Sequence, residues 1–304
     1  MRVHVVGNVC IDTTFRLDRL PEAGETRNAM SHADGLGGKG ANQAVAASRT
    51  GVPAALWTAI GRDANGDWIR DALGGEIDTI RLTVFDRPTD RSTVAVDATG
   101  ENIILSDVSC ALAFDPLTQT DLVDAIKPGD VLVMQGNLAS AATGACLRIA
   151  RKKGLTTVFN ASPLASGVQP ELANVDFVIV NEGEAQAISG ARNPEEAAVR
   201  IRDVGAGGVV VTLGALGCVL LGSGSADPVY IPAPKVAVVD TSGAGDVLCG
   251  IFAGCLGRGL TPEAALRIAV AASALAVTRA GTLASCPTVD EVSSLIQQSE
   301  TERA

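Results

Sequence analysis

The sequence predicts an α/β protein built on a mainly parallel sheet. Short apolar, β-branched runs alternate along the chain with Ala-rich segments of helical period, the rhythm of strand–helix–strand units with right-handed crossovers. The apolar runs are continuous rather than alternating, as strands buried on both faces require. The chain is long enough, at 304 residues with 47% hydrophobic, to bury a core on each side of such a sheet.

Taken in order, the candidate strands are Val3–Val6, Val131–Met134, Thr156–Phe159, Phe177–Val180 and Gly208–Leu213. Between them lie helical patterns over Asn42–Thr50, Ala139–Lys153, Pro194–Val204, Gly245–Gly257 and Pro262–Val277. Two segments break the rhythm. Thr13–Met30 follows the first strand and contains Pro21 and Gly24. Arg91–Val108 reads as a hairpin, with Ser92–Asp97, a turn at Ala98-Thr99-Gly100, and Asn102–Leu105. Together, from about 13–33 and 88–110, they predict a small antiparallel flap over one edge of the α/β body. Neither a long linker nor a repeat marks a second domain, so residues 1–304 are expected to form one.

Composition narrows the function. The net charge is −10 with no Lys/Arg cluster, which argues against nucleic acid as a partner. The longest apolar run, Ile268–Val277, falls short of the roughly 20 residues that span a bilayer. The N-terminus shows no basic region and cleavage site, so no signal peptide is expected. The seven cysteines, Cys10, Cys110, Cys146, Cys218, Cys249, Cys255 and Cys286, form no C-x-x-C pair and sit mostly among apolar residues, as buried thiols in a reducing cytoplasm do. With only His4 and His32, a zinc site or a Ser-His-Asp triad has little support.

The polar residues fall where an open α/β sheet binds its ligands, at the carboxyl ends of strands. Val3–Val6 leads to Asn8 and Asp12, Val131–Met134 to Gln135-Gly136-Asn137, and Thr156–Phe159 to Asn160. Phe177–Val180 leads to Asn181 and Glu184, and Gly208–Leu213 carries Thr212 into Gly214. Any one of these is an ordinary cap or turn residue; their recurrence points to a shared site.

Two glycine motifs carry the chemistry. In Asp240-Thr241-Ser242-Gly243-Ala244-Gly245-Asp246, small residues precede an apolar helical run, so the amides of Gly243 to Asp246 are expected at a helix N-terminus, an anion site by geometry and dipole. An acid there repels phosphate but suits a base taking a proton from a hydroxyl beside it. In Gly35-Leu36-Gly37-Gly38-Lys39-Gly40-Ala41-Asn42-Gln43, a flexible loop opens a helix beside one cation and one amide. It lies too far from the first strand for a dinucleotide fingerprint, and Gly follows Lys39 where a P-loop needs Ser or Thr.

These segments resemble the two signatures of the ribokinase-like (PfkB) carbohydrate kinase family, GGKGANQAVAA near one end and DTSGAGD near the other. Gly7–Asp12 with Pro21 and Gly24-Glu25-Thr26, Asn181-x-x-Glu184, and Thr212-x-Gly214 with Gly217 resemble its minor motifs. The resemblance implies a three-layer α/β sandwich with a β lid, and ATP-dependent phosphorylation of a small sugar or polyol. It implies Asp246 as general base and Gly243, Ala244 and Gly245 as anion hole. Asp12, Gly38, Lys39 and Asn42 would hold the acceptor, with Asn137 facing it. Asn181, Thr212, Gly214, Gly217 and Gly245 would serve the nucleotide, and Glu184 hydrated Mg²⁺. Asp240, Ser242, Gly281 and Ser285 would surround a K⁺ ion, and a homodimer would form through the lid.

The sequence departs from the ribokinase pattern at two acceptor-facing positions. Cys10 stands where an Asn is usual, and Gly136-Asn137 where a Glu follows the strand-ending Gln. Both bear on which acceptor is used. A nucleoside kinase of the same fold is the alternative, although aromatic residues make up only 3% of the chain and offer little for stacking a base. A non-catalytic sugar-binding regulator is a further alternative, but it would have no use for Asp246.

Overall fold

The computed structural model describes residues 1–98, 101–164 and 169–301. In chain order its strands are β1 (Val3–Val6), β2 (Cys10–Arg16), β3 (Ser31–Gly37), β4 (Ala54–Gly61), β5 (Thr79–Phe85), β6 (Arg91–Val96), β7 (Asn102–Asp107), β8 (Val131–Gln135), β9 (Thr156–Asn160), β10 (Phe177–Asn181), β11 (Gly208–Thr212), β12 (Gly217–Leu221) and β13 (Val229–Pro232). Nine form a central sheet in the order β13-β12-β11-β10-β9-β8-β1-β4-β5. Every pairing from β11 to β5 is parallel, and β12 and β13 add an antiparallel edge.

Alternation along the buried strands explains their continuous apolar sequences. Val131 and Val133 pack into one core with Ala41, Val45, Ile251 and Phe252, from the helices Lys39–Ser48 and Ala244–Gly257. Leu132 and Met134 point the other way, into a second core with Leu147 and Ile201 from the helices Ser140–Lys152 and Pro194–Asp203. A period of two with both faces covered makes these strands mostly apolar, and their few buried polar side chains, such as Gln135 and Asn160, fall mainly at the carboxyl ends. The result is helix, sheet and helix in three layers.

The remaining four strands form a separate sheet, β3-β2-β6-β7. It differs from the expected flap. Its strands nearest the N-terminus are 10–16 and 31–37, while most of Thr13–Met30 is the connection between them. The β3 sequence SHADGLG carries no strand pattern of its own; pairing with β2 imposes its extended form. Nor is the sheet wholly antiparallel, because β2 and β6 run parallel. The β6–β7 hairpin is as expected, with part of its turn outside the described residues. In the central sheet β4, β5, β12 and β13 went unread. The Ala, Thr and Gly of β4 dilute its apolar signal, yet all eight of its residues are buried.

Candidate active site

The helix Lys39–Ser48 starts directly on the chain that leaves β1. Gly38 has φ 97°, and a Cβ there would lie 2.7 Å from Val9 Cα and 2.8 Å from the Asn8 carbonyl oxygen, so only glycine allows this approach. The Gly40 amide also donates to Asn8 Oδ1 at 3.4 Å. The helix begins three residues earlier than the pattern suggested, which puts Lys39, Asn42 and Gln43 at the carboxyl ends of the central strands.

The helix Ala244–Gly257 packs along it. Its N-cap is Gly243, left-handed at φ 77° and set against Thr282. Asp246, in the first turn, is buried with 5% exposure. Its Oδ2 accepts from Asn42 Nδ2 at 3.1 Å and its Oδ1 from Gln43 Nε2 at 2.9 Å. Lys39 Nζ stands 3.9 Å from Oδ1. The two glycine motifs, at opposite ends of the chain, thus meet side chain to side chain.

Four outward amides were expected at this turn, and the structure provides two. The Asp246 amide donates to the Gly243 carbonyl at 2.9 Å and the Ala244 amide to the Thr241 carbonyl at 3.3 Å, because the turn closes on itself. The amides of Gly243 and Gly245 make no bond among the described residues. They lie at the positive end of a 14-residue helix, ready for an anion.

Asp12, on β2, faces this centre from the lid. Its carboxylate lies so close over Gly37 that a Cβ there would fall 2.1 Å from Asp12 Oδ2. Burial pushes the Asp12 carboxyl up, bonds from Cys10 and Ser92 hold it down, and the negative charge of Asp246 pushes it up further. Cys10 Sγ donates to Asp12 Oδ1 at 3.3 Å. Burial, with the charge of Asp12, raises the Cys10 thiol well above its ordinary range and keeps it a protonated donor. The Oδ1 atoms of Asn42 and Asn137 are buried without a partner among the described residues, two acceptors available to a ligand hydroxyl.

At the ends of β10 and β11, Asn181 pairs with Thr212. Asn181 and Glu184 form a capping box on the helix Glu182–Ser189: Asn181 Oδ1 accepts from the Glu184 amide at 2.8 Å, and Glu184 Oε2 from the Asn181 amide at 2.9 Å. Gly214 and Gly217 bracket the turn after β11. The Ala233 amide donates to the Leu216 carbonyl and brings the next segment alongside that turn. Leu216 on that turn is exposed, as are Val236, Val238 and Val239 in the segment that follows Ala233. Asp240 ties two loops together, its Oδ1 accepting from the Ser242 amide at 2.9 Å and its Oδ2 from the Gly281 amide at 3.0 Å. Burial pushes the Asp240 carboxyl up, but these amides hold it below its ordinary value. The Ser242 and Gly281 carbonyls accept no backbone bond among the described residues. Buried Ser285 donates its hydroxyl to the Thr282 carbonyl at 2.9 Å. Among the described residues no cluster of three or more His, Cys, Asp or Glu side chains forms.

Gln43, Gln135 and Asn160 also reach this centre through one hydrogen-bond chain. Gln43 lies within the first glycine motif. The available signal was a long amide in an otherwise apolar Ala/Val helix.

A sugar-kinase motif at each helix N-terminus and an acid between them agree with what comparison shows. The sequence profile of the pfkB family carbohydrate kinases matches residues 2–289. The chain belongs to this family. Mouse (Mus musculus) ribokinase is 32% identical over 295 residues, covering 94% of this chain and 91% of that protein. Salmonella typhi deoxyribokinase is 29% identical over 310 residues, covering 99% and 100%. The structure of Arabidopsis thaliana ribokinase complexed with ribose and ATP superposes with a TM-score of 0.85 at 27% identity, covering 97% of this chain and 98% of that one. The fold is the ribokinase-like α/β sandwich, and this pfkB protein is an ATP-dependent sugar kinase. No helix among the described residues is long and apolar enough to cross a membrane.

Proposed function

We propose that Asp246 is the general base of this kinase. It takes the proton of an acceptor hydroxyl as that oxygen bonds to the γ-phosphorus of ATP, the bond to the bridging oxygen breaks, and ADP leaves. One observation carries the reading: a buried carboxylate stands in the same first helical turn as the outward amides of Gly243 and Gly245, so base and anion hole are set side by side. Gly243, Ala244 and Gly245 form the anion hole, Ala244 by shaping the turn. Asp12, Gly38, Lys39, Asn42 and Asn137 hold the acceptor. Asn181, Thr212, Gly214, Gly217 and Gly245 serve the nucleotide, with Leu216, Val236, Val238 and Val239 under the base.

Glu184 keeps one carboxylate oxygen free of protein donors, which suits a water-mediated contact to Mg²⁺; when bound, Mg²⁺ would neutralise phosphate charge. Two unbonded carbonyls beside Asp240 suit a monovalent cation, held by Asp240, Ser242, Gly281 and Ser285. The acceptor is a sugar or polyol other than D-ribose. This is supported by Cys10 and Asn137, which stand where the ribokinase pattern has an amide and an acid. The chain acts as one kinase unit, a homodimer through the lid. Seven free buried cysteines support a reducing cytoplasm, and the acidic surface gives no support to a nucleic-acid or membrane partner.

Asp246→Asn tests the base. It keeps the fold and ATP binding and lowers kcat by roughly 10²–10⁴. A variant with near-normal kcat at saturating substrates removes the assignment.

A further inference from the structure

Asp246 is gripped by a side chain to which the reaction assigns no role. Gln43 is wholly buried on the helix Lys39–Ser48. Both hydrogens of its Nε2 are engaged, one by Asp246 Oδ1 at 2.9 Å and one by Asn160 Oδ1 at 3.2 Å. Its Oε1 accepts from Gln135 Nε2 at 2.8 Å. The orientation of Asn160 is set in turn, because its Nδ2 donates to the Ile179 carbonyl at 3.2 Å. Turning the Gln43 amide over would set oxygen against Asp246 and Asn160 and nitrogen against nitrogen at Gln135, so the chain has one direction. It runs from the ends of β8 and β9, where Gln135 and Asn160 sit, to the base.

We infer that Gln43 is a positioning residue that locks the Asp246 carboxylate in the rotation at which it meets the acceptor hydroxyl. This rests on the reading of Asp246 as base. A carboxylate turns easily about its last torsion, and of the groups that touch it Gln43 is the one anchored at both ends of its amide. Lys39 is a flexible cation 3.9 Å away. Asp12, across the site, is a like charge that repels the carboxylate. Asn42 holds only Oδ2. The Gln43 amide holds Oδ1 from a fully satisfied position anchored in the sheet. Proton transfer demands alignment of this kind, and small misplacements are costly in rate.

The test compares steady-state kinetics and melting temperature across four variants. Gln43→Met removes both donors and keeps the length; kcat falls roughly tenfold to hundredfold while both KM values stay within about threefold. Gln43→Glu keeps the shape and the bond from Gln135 but turns an acid toward Asp246. Its kcat falls at least as far, and it answers the question if the Met variant does not fold. Thr157→Val breaks buried hydrogen bonds at the far end of β9, to the Asn174 carbonyl and Asp176, and keeps its kcat although it melts earlier. A folded Gln43 variant with kcat within threefold of the parent, or a loss shared equally by kcat and KM, overturns the inference. Asp246→Asn separates the two claims: if it keeps its kcat the base reading falls, and if only the Gln43 variants keep theirs, positioning alone falls.

Discussion

The thiol of Cys10 points at Asp12 Oδ1 from 3.3 Å and stays protonated, so a sugar held by Asp12, as proposed, would find one oxygen already engaged by a weak donor. The other side of the thiol looks to Ser92 Oγ at 3.8 Å, and Ser92 is itself paired with Ser106 at 2.9 Å. An amide at position 10 would add a donor and an acceptor; sulfur leaves that corner nearly apolar. Sites that hydrogen-bond a hydroxyl discriminate sharply against its absence, and the reverse holds for a site that lacks the partner. Cys10→Asn is therefore expected to raise kcat/KM for D-ribose relative to a deoxy sugar by about tenfold, worth about 1.4 kcal/mol. In the parent protein D-ribose is expected not to be the preferred acceptor. The check is kcat/KM over pentoses, hexoses, deoxy sugars, polyols and nucleosides, and a tenfold lead for ribose in the parent defeats this reading of Cys10.

Elements matter at the turn that opens the helix Ala244–Gly257. Asp240 holds this turn to the loop at Gly281, and the Thr282 hydroxyl donates to the Leu36 carbonyl of β3 at 3.3 Å. Loop, turn and lid base are linked, so ordering one orders the amides of Gly243 and Gly245. A cation held by the Ser242 and Gly281 carbonyls would stiffen that linkage where charge develops during transfer. Phosphorylation is expected to run faster in K⁺ than in Na⁺ and slowest in a bulky organic cation, by roughly tenfold between extremes. Initial rates at constant ionic strength measure it, and equal rates in all three remove the cation from the mechanism.

On the scale of the whole molecule, the lid presents an edge. Among the described residues β7 pairs with β6 alone, and it carries Ile103, Ile104 and Leu105 at 45%, 57% and 69% exposure. Three consecutive exposed apolar residues on an edge strand form an adhesive surface that proteins normally blunt with charge. Burial against a second lid would satisfy both the strand edge and the side chains. Leu105→Glu is expected to convert the protein from dimer to monomer in light scattering, with little change in melting temperature of the isolated chain. A parent protein that is already monomeric at assay concentrations rejects the dimer.

Local pattern was sufficient for much of this. Continuous apolar runs identified β1, β8, β9, β10 and β11, because a strand covered on both faces has no polar register to hide it. The two glycine motifs were legible because close backbone approach and left-handed turns admit few other residues, and Asp246 was conspicuous as the acid that follows one of them. What the sequence could not disclose was anything decided by partners distant along the chain. β3 is extended only because β2 lies beside it, and β4 is a strand only because both its faces are covered. Two of the four amides expected to face outward at the helix start bond within the turn itself. Gln43 became part of the site only when folding brought Gln135, Asn160 and Asp246 around one amide, since a hydrogen-bond network is a property of position in space and leaves no period in the sequence.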